Sequence, residues 1–288
     1  MVAIPSKYSL LLVAATSLYA FACSTGSLEF ELPYEGDKLV LNAILSNTGV
    51  QARLTRTQDV RLDTREDLSI AGEVWLCDAL GQELKILNYL GNGDYVMEEG
   101  LETGKGYRLK ATATGFDEVL SDAVYIPIAC VPNSFEQLGK GVDPWTREPV
   151  HFLNINFVDD PGTENYYFCL CFELVNGRVG RPLDISANLS QGVLEVCDYG
   201  DIFPDFCFSG QAYTYPGMIG PRGGLLPDSV IVEFGAVDAG FYEYDRSQLL
   251  QPEGPLLLFE QPFPILSNVS GGYGMVVAKH TYFYEFGN

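Results

Sequence analysis

Turn-forming residues interrupt this chain at short intervals, and that spacing constrains the fold more than any other feature. Short apolar or alternating runs are separated by clusters of glycine, asparagine and aspartate such as residues 47–49 and 91–94, and the chain holds 30 glycines and 16 prolines. Alternation with a period of two is typical of β-strands, whereas a helix needs apolar residues at a period of 3.6. Only residues 239–250 show a helical stripe. The pattern predicts an all-β protein with one short helix.

The strand-like runs fall into two groups. They are residues 38–46, 51–57, 70–77, 83–90, 95–97, 107–114 and 119–128, then 151–158, 166–175, 193–196, 206–215, 229–237 and 275–286. The regular spacing of the first group predicts an immunoglobulin-like β-sandwich over residues 35–130. Residues 131–149 are rich in proline and glycine and lack a period, which predicts a linker. Residues 150–288 are predicted to form a second β-rich domain that contains the helix.

The N-terminal segment predicts export. Residues 1–22 have a cationic start and an apolar run that is short for a membrane span and has no acidic residue, as in a signal peptide. Ala20 and Ala22 stand at −3 and −1 before Cys23, which resembles the lipobox of bacterial lipoproteins. Cleavage there makes Cys23 the lipid attachment site of a tether, residues 23–34. Each buried acyl CH₂ then adds about 0.8 kcal/mol of membrane affinity. An ordinary secretory signal beside an unrelated cysteine is the alternative.

The charge of the chain excludes one class of partner. Its formal net charge is −21, and a chain this acidic repels phosphate backbones, so no nucleic-acid partner is expected. An acidic surface keeps a protein soluble, and it can also attract cations or basic peptides. Nothing after the signal peptide resembles a membrane span.

The cysteines suggest disulfides without fixing them. Apart from Cys23 the chain contains Cys77, Cys130, Cys169, Cys171, Cys197 and Cys207. An even number in an exported chain indicates disulfides. If disulfides form only within each half of the chain, Cys77 pairs with Cys130, and the four cysteines of the second half can pair in three ways. Cys169 and Cys171 stand two residues apart on a predicted strand, where they are poorly placed to bond each other. Buried free cysteines are the competing interpretation.

Few residues are suited to catalysis. The two histidines, His151 and His280, lie outside any H-E-x-x-H motif, and no G-x-S-x-G motif or paired C-x-x-C occurs. We therefore expect no enzyme, no catalytic residue, no metal and no cofactor. Asp159, Asp160 and Glu164 could bind calcium through oxygen ligands, but Asp-Asp-Pro-Gly is also ordinary turn chemistry. Both interpretations stay open at this point.

Aromatic side chains are the better indication of binding, because exposed aromatics stack on sugars or pack against partners. We expect partner or ligand contacts at Phe241, Tyr242 and Tyr244, and in the loop of residues 267–273 through Asn268 and Tyr273. A packed helix and a structural turn are the alternatives. Other aromatics crowded in the sequence are Tyr213, Tyr215, Tyr282, Phe283 and Tyr284.

Several stretches together carry a resemblance to a known family. In order they are residues 29–33 with 38–45, residues 106–109 and 115–116 ending at 125–127, residues 156–162 with 165–167, and residues 237–250 leading to 264–274. This ordered set resembles the Bacteroidetes surface-lipoprotein family called domain of unknown function 4249. It spans nearly all of the chain after the signal peptide.

The resemblance implies a role without naming a ligand. Members are often encoded beside TonB-dependent outer-membrane transporters, which implies a lipid-anchored accessory at the cell surface, for ligand capture or gating. Independently of the resemblance, we expect a glycan or a peptide as ligand. A surface glycan hydrolase would instead need two facing carboxylates in a cleft. A structural adhesin or surface-layer subunit is the third alternative, and it would show a self-complementary edge or patch.

Overall fold

The structure is a computed structural model that describes Tyr34 and residues 36–59, 67–128, 130–187, 202–221, 225–249 and 266–287. The signal peptide, Cys23, nearly all of the tether, Cys197 and the predicted strand at 193–196 lie outside the described residues. The chain divides into two compact units, Met1–Glu35 and Gly36–Asn288. All the strands and the helix below belong to the second unit.

Strands dominate the described residues, which confirms the all-β prediction. The strands are β1 Leu39–Ser46, β2 Gly49–Arg56, β3 Glu73–Asp78, β4 Glu83–Ile86, β5 Asn88–Gly91, β6 Asp94–Met97, β7 Gly106–Thr112, β8 Val119–Ser121, β9 Val124–Tyr125, β10 Ser134–Val142, β11 Pro149–Val158, β12 Tyr166–Val175, β13 Arg178–Leu183, β14 Ile185–Ala187, β15 Ile202–Pro204, β16 Ala212–Ile219, β17 Ser229–Val237, β18 Val269–Ser270 and β19 Val276–Gly287. A helix, α1 Ala239–Leu249, follows β17. No helix among the described residues has the length and apolarity to cross a membrane.

The strands form one long sheet and two smaller ones. The long sheet has nine strands in the order β13-β12-β17-β19-β1-β2-β6-β5, with β15 also paired to β12. A six-stranded sheet runs β18-β8-β7-β3-β4, with β9 paired to β7, and a four-stranded sheet runs β10-β11-β16-β14. Each smaller sheet packs on the long sheet and encloses a separate apolar core.

The two cores lie on the same face of the long sheet. Leu41 and Leu54 belong to the first core, and Tyr167 and Phe234 to the second. On β19, Val276 and Ala278 face the first core, whereas Phe286 packs against the second. Residues an even number apart point to the same side of a strand. The long sheet is therefore shared by two adjacent sandwiches, and its opposite face is not covered by either smaller sheet.

Strand β19 joins the two halves, which differs from the predicted division at residues 35–130 and 150–288. It pairs in parallel with β1, with Ala43 opposite Val276, and antiparallel with β17, with Phe234 opposite Tyr282. The first core consequently contains residues from the end of the chain. The sequence did not indicate this arrangement, because strand pairing over such a separation leaves no local signal.

The predicted linker at residues 131–149 contains strand β10, and this part of the prediction was wrong. β10 pairs antiparallel with β11 at the edge of the four-stranded sheet, with a register shift between Gln137 and Gly139. Most of its side chains are exposed or half-buried. An edge strand without a buried face shows no apolar alternation, which is why the sequence pattern missed it.

For Cys77 and Cys130 the structure favours the alternative of free thiols over a disulfide between them. Cys77 and Cys130 are free thiols, and so is Cys171. Cys77 is buried on β3, whereas Cys130 packs against the second core and donates a hydrogen bond to the carbonyl of Val158 at 3.1 Å. Cys77 thus belongs to the six-stranded sheet, whereas Cys130 lies against the core under the four-stranded sheet. Cys169 and Cys171 do not bond each other, as expected from their spacing, and Cys207 is disulfide-bonded.

Gly235 allows the close approach of β17 and β19, and it supplies a test of their pairing. A Cβ atom there would overlap the backbone oxygen of His280 and lie 3.0 Å from Cε1 of Phe168. We expect Gly235→Ala to lower the free energy of unfolding by about 2 kcal/mol or more, measured by urea denaturation. Gly162→Ala is the control, since its Cβ would meet only Asp160 Oδ1 at 3.6 Å. Equal stability of the two variants would contradict the described pairing.

Candidate functional site

The face of the long sheet opposite the cores, here called the outer face, is the most distinctive surface of the molecule. Alternation on β1 turns Leu41 and Leu45 into the core and Asn42 and Ile44 outward. β12 is apolar at successive positions, so Phe168 and Leu170 project from the outer face while Tyr167 enters the core. A strand that is apolar on both faces is expected where both faces are covered.

Helix α1 covers part of this face. It begins after Asp238, whose Oδ1 accepts hydrogen bonds from the backbone N–H of Phe241 at 3.3 Å and of Ala278 at 2.9 Å. This is the usual chemistry of an aspartate at a helix N-terminus. Tyr242 is buried, and its ring stacks on that of Tyr166 with centroids 4.5 Å apart. Asp238 and the stacked tyrosines fix the helix against β19 and β12.

Beside the helix lies a cavity of about 510 Å³. Phe241 and Tyr244 form the helix side, and Ile44, Val96 and Val277 are among the apolar side chains of the sheet side. Its remaining lining comprises Asn42, Ala43, Gln51, Ala52, Arg53, Leu90, Asp94, Tyr95 and Met275. A mostly apolar cavity of a few hundred Å³ with a few polar groups has the character of a small-molecule site.

Two further cavities continue this one across the sheet. One of about 470 Å³ lies between β1, β6, β12 and β19 and includes Leu170, Phe172 and Phe283. A smaller one of about 150 Å³ lies under α1 beside Phe168 and Asp245. All three cavities share Ile44. We call the three together the outer-face groove.

A buried ion pair forms part of the groove floor. Glu233 is 5 % exposed, and its Oε1 accepts hydrogen bonds from the Lys279 ammonium and, at 2.9 Å, from the Thr281 hydroxyl. The Lys279 nitrogen also lies 5.3 Å from the ring centroid of Phe168. Removing one partner of such a pair would leave a buried charge unpaired, at a cost of several kcal/mol. The pair therefore supplies a fixed polar feature in an apolar surface.

The other charges around the groove are mostly acidic. Arg53 and Asp94 form an exposed ion pair with 3.7 Å between Nη1 and Oδ1. Glu98 lines the second cavity and Asp245 the third. Burial raises the pKa of the Asp245 carboxyl. With both cations already paired to carboxylates, the groove carries a net negative charge.

The predicted contact residues have different locations and roles in the structure. Phe241 and Tyr244 line the groove, whereas Tyr242 is a packing residue. Asn268 lies elsewhere: its side chain donates to the carbonyl of Val276 at 2.7 Å and accepts from its N–H at 2.9 Å, so it acts as a structural clamp. Tyr273 is 47 % exposed, with the Lys38 ammonium 5.6 Å from its ring centroid.

The remaining aromatic candidates are mostly structural. Tyr213 stacks on Phe208 and Tyr215 on Phe203, both within or against the second core. Tyr284 stacks on Phe135. Tyr282 lies beside His280, with ring centroids 5.1 Å apart. Only Phe283, which is 51 % exposed, joins the groove.

The acidic turn that could have held calcium is organised as a hydrogen-bond network. Asp159 is 2 % exposed, and its carboxylate accepts from the Tyr167 hydroxyl, from the Asn165 amide at 3.1 Å and from the Gly210 N–H at 2.7 Å. Asp160 accepts from the N–H of Gly162, as in an ordinary turn. Among the described residues, no three His, Cys, Asp or Glu side chains converge as a metal site would require.

Both histidines have structural roles. His280 Nε2 accepts a hydrogen bond from the Asn47 amide at 3.2 Å, so Nδ1 carries the proton and donates to the Thr103 hydroxyl at 3.2 Å. Burial lowers the pKa of His280, which favours this neutral form. His151 is buried, and its Nε2 donates to the carbonyl of Pro227 at 3.1 Å.

Several groove residues were not identified from the sequence. Ile44 and Val96 look like ordinary strand residues, and Lys279 and Glu233 meet only because β17 and β19 pair. One usable signal was present: the uninterrupted apolar run of β12, which predicts that both its faces are covered. It could have indicated a packed surface opposite the core.

Asp238 should make stability depend on pH. Burial raises its pKa to about 6 in spite of the N–H donors that favour the charged form. The folded state therefore holds a proton between about pH 4 and 6 that the unfolded chain has released, and stability is lost as the pH rises through 6. Asp238→Asn keeps the acceptor oxygen but cannot titrate. We expect its free energy of unfolding, relative to that of the wild type, to rise by up to about 3 kcal/mol between pH 4 and pH 8, as measured by urea denaturation.

The control for this pH prediction is Asp117→Asn, at an exposed carboxylate. This variant should follow the wild-type stability curve over the whole pH range. Parallel curves for the wild type and Asp238→Asn would show that the carboxyl of Asp238 is not perturbed.

The comparisons with known proteins bear on the whole of this architecture. No curated protein sequence matches the chain. A family model described as domain of unknown function, DUF4249, matches residues 25–282. The match covers most of the chain, including α1 and nearly all of the described strands, and it agrees with the resemblance seen in the sequence. The chain belongs to the DUF4249 family.

Proposed function

We propose that this protein is a non-catalytic lipoprotein of the outer membrane that captures a ligand in the outer-face groove for a TonB-dependent transporter. The observation that carries the proposal is the groove itself: three adjoining cavities on a sheet face that neither smaller sheet covers, two of them with mostly apolar walls and one with mixed walls. Aromatic and apolar walls with a few placed polar groups suit binding.

The anchor is proposed from the N-terminal sequence. Cys23 directly follows the small residue Ala22 of the signal-like segment. A tether of about ten residues, at 3.3–3.6 Å each when fully extended, reaches some 35 Å from the bilayer. The folded unit would then stay within contact distance of a neighbouring outer-membrane protein. The family resemblance supports a TonB-dependent transporter as that neighbour.

The chemistry of the described residues also supports binding over catalysis. The two histidines are held in hydrogen bonds within the fold, and the Asp159 carboxylate is occupied by three protein donors. These groups stabilise structure. A glycan or a peptide are the ligand classes suggested by the sequence, and the groove has aromatic surfaces for either.

The anchor has a direct test. We expect radiolabelled palmitate to mark the wild-type protein and not Cys23→Ser, because the acylated thiol is then absent. The variant should also leave the membrane fraction or remain unprocessed. Equal labelling of both proteins would refute lipidation at Cys23.

The groove can be tested by filling it. Ile44→Trp should obstruct all three cavities, since Ile44 lines each of them. In a deletion strain, we expect this variant to fail to restore growth on the transporter's substrate. Ile86→Trp is the matched control, because Ile86 is 42 % exposed on β4 and lines none of the three cavities.

The growth test is interpretable only if both variants fold and reach the membrane in equal amounts. Under that condition, full restoration by Ile44→Trp would exclude the groove as the working site. Copurification of the intact lipoprotein with one outer-membrane protein would identify the transporter.

A further inference from the structure

Asp245 occupies a position of α1 where an apolar residue is expected. It lies one helical turn beyond Phe241 and Tyr242, on the side of the helix that packs against the sheet. Phe168, Leu170 and Ile202 line the small cavity into which it projects. A carboxylate in such surroundings loses hydration without an evident structural gain.

In the part of the chain that the structure describes, no group compensates this carboxylate. Among the described residues, Asp245 has neither a hydrogen bond nor an ion pair, and burial is the sole cause of its raised pKa. Lys279 lines the same cavity, but its ammonium is bound to Glu233. An unpaired, partly desolvated carboxylate is stabilised when a cation reaches it.

The adjoining cavity can hold the body of such a ligand. Phe241 lines both the small cavity and the one of about 510 Å³, so a molecule can extend from one to the other. The volume lies in the range of small-molecule sites. Aromatic faces also attract organic cations, and Phe241 and Tyr244 supply two.

The net charge of the groove determines which sign of charge is favourable on a ligand. Among the described residues that line it, the cations are Arg53 and Lys279, and each is paired with a carboxylate. Glu98 and Asp245 remain as further acids. An anionic ligand would meet this excess negative charge, whereas a cationic one would reduce it.

We propose that the outer-face groove binds a small organic cation with an apolar body, which occupies the larger cavity while its positive group lies beside Asp245. This inference rests on the proposed function, since it takes the groove as the site of capture. It replaces the glycan or peptide suggested by the sequence with a cationic ligand. A charge-assisted hydrogen bond to a partly buried carboxylate should favour the cation over a neutral analogue by roughly ten- to a hundredfold.

Three probes of equal length test the class: 4-phenylbutylamine, 4-phenylbutan-1-ol and 4-phenylbutyrate. Their affinities would be measured by calorimetry on the full chain carrying Cys23→Ser, which avoids detergent. We expect the amine to bind at least tenfold more tightly than the alcohol, and the carboxylate to bind more weakly than both. In Asp245→Asn, the affinity for the amine should fall to that for the alcohol, and the affinity for the alcohol should stay the same.

The control is Glu243→Gln, which removes the same charge from an exposed position of α1. It should keep the preference for the amine. If the amine and the alcohol bind equally well and both lose binding in Ile44→Trp, the preference for a cation is refuted, and the groove remains a binding site. Tightest binding of the carboxylate, or retention of the amine preference in Asp245→Asn, would also refute it. Absence of binding by all three probes would overturn the inference, and the growth test of Ile44→Trp would then decide the proposed function separately.

Discussion

The parallel pairing of β1 with β19 is the interaction on which the rest of the structure depends. Four residue pairs, from Ala43 opposite Val276 to Ser46 opposite Lys279, place the two strands side by side. Asn47 extends the junction beyond the strand end: its amide donates to the carbonyl of Thr281 at 3.0 Å and accepts from its N–H at 2.8 Å. Without this junction the long sheet would separate into the sheets of two independent sandwiches.

The groove follows from this shared sheet. Both smaller sheets pack on one face, and in the part of the chain that the structure describes the eleven residues of α1 are what covers the other face. The helix shields Phe168 and Ile202 through Tyr242, and it leaves Ile44 and Val96 beside open space. The site is thus a result of the topology, and residues from eight strands and the helix line it.

Local patterns predicted the elements better than their arrangement. The expected strands at 166–175 and 229–237 have the bounds of β12 and β17, and the helix differs at its end by one residue. These segments are strongly apolar or strongly periodic, so their own residues determine their conformation. The exposed edge strand β10 lacks that signal, and a run predicted as a single strand at 83–90 divides between two sheets as β4 and β5.

The site was predicted less completely than the fold. Phe241 and Tyr244 were found because aromatic residues on a short helix are conspicuous in any sequence. Ile44 and Asp245 were missed because neither is unusual by itself. They become functional candidates through their neighbours, and those neighbours come from strands that meet only after the whole sheet has assembled.

The position of β19 has a consequence for how such a chain matures. It follows every other described strand in sequence, yet it supplies Val276 and Ala278 to the first core. Contacts of such large sequence separation form slowly, because a long loop must close before they are gained. A chain made from its N-terminus would therefore contain all the other described strands before it could finish the first sandwich. Closure of the first core is thus delayed until the residues of β19 are present.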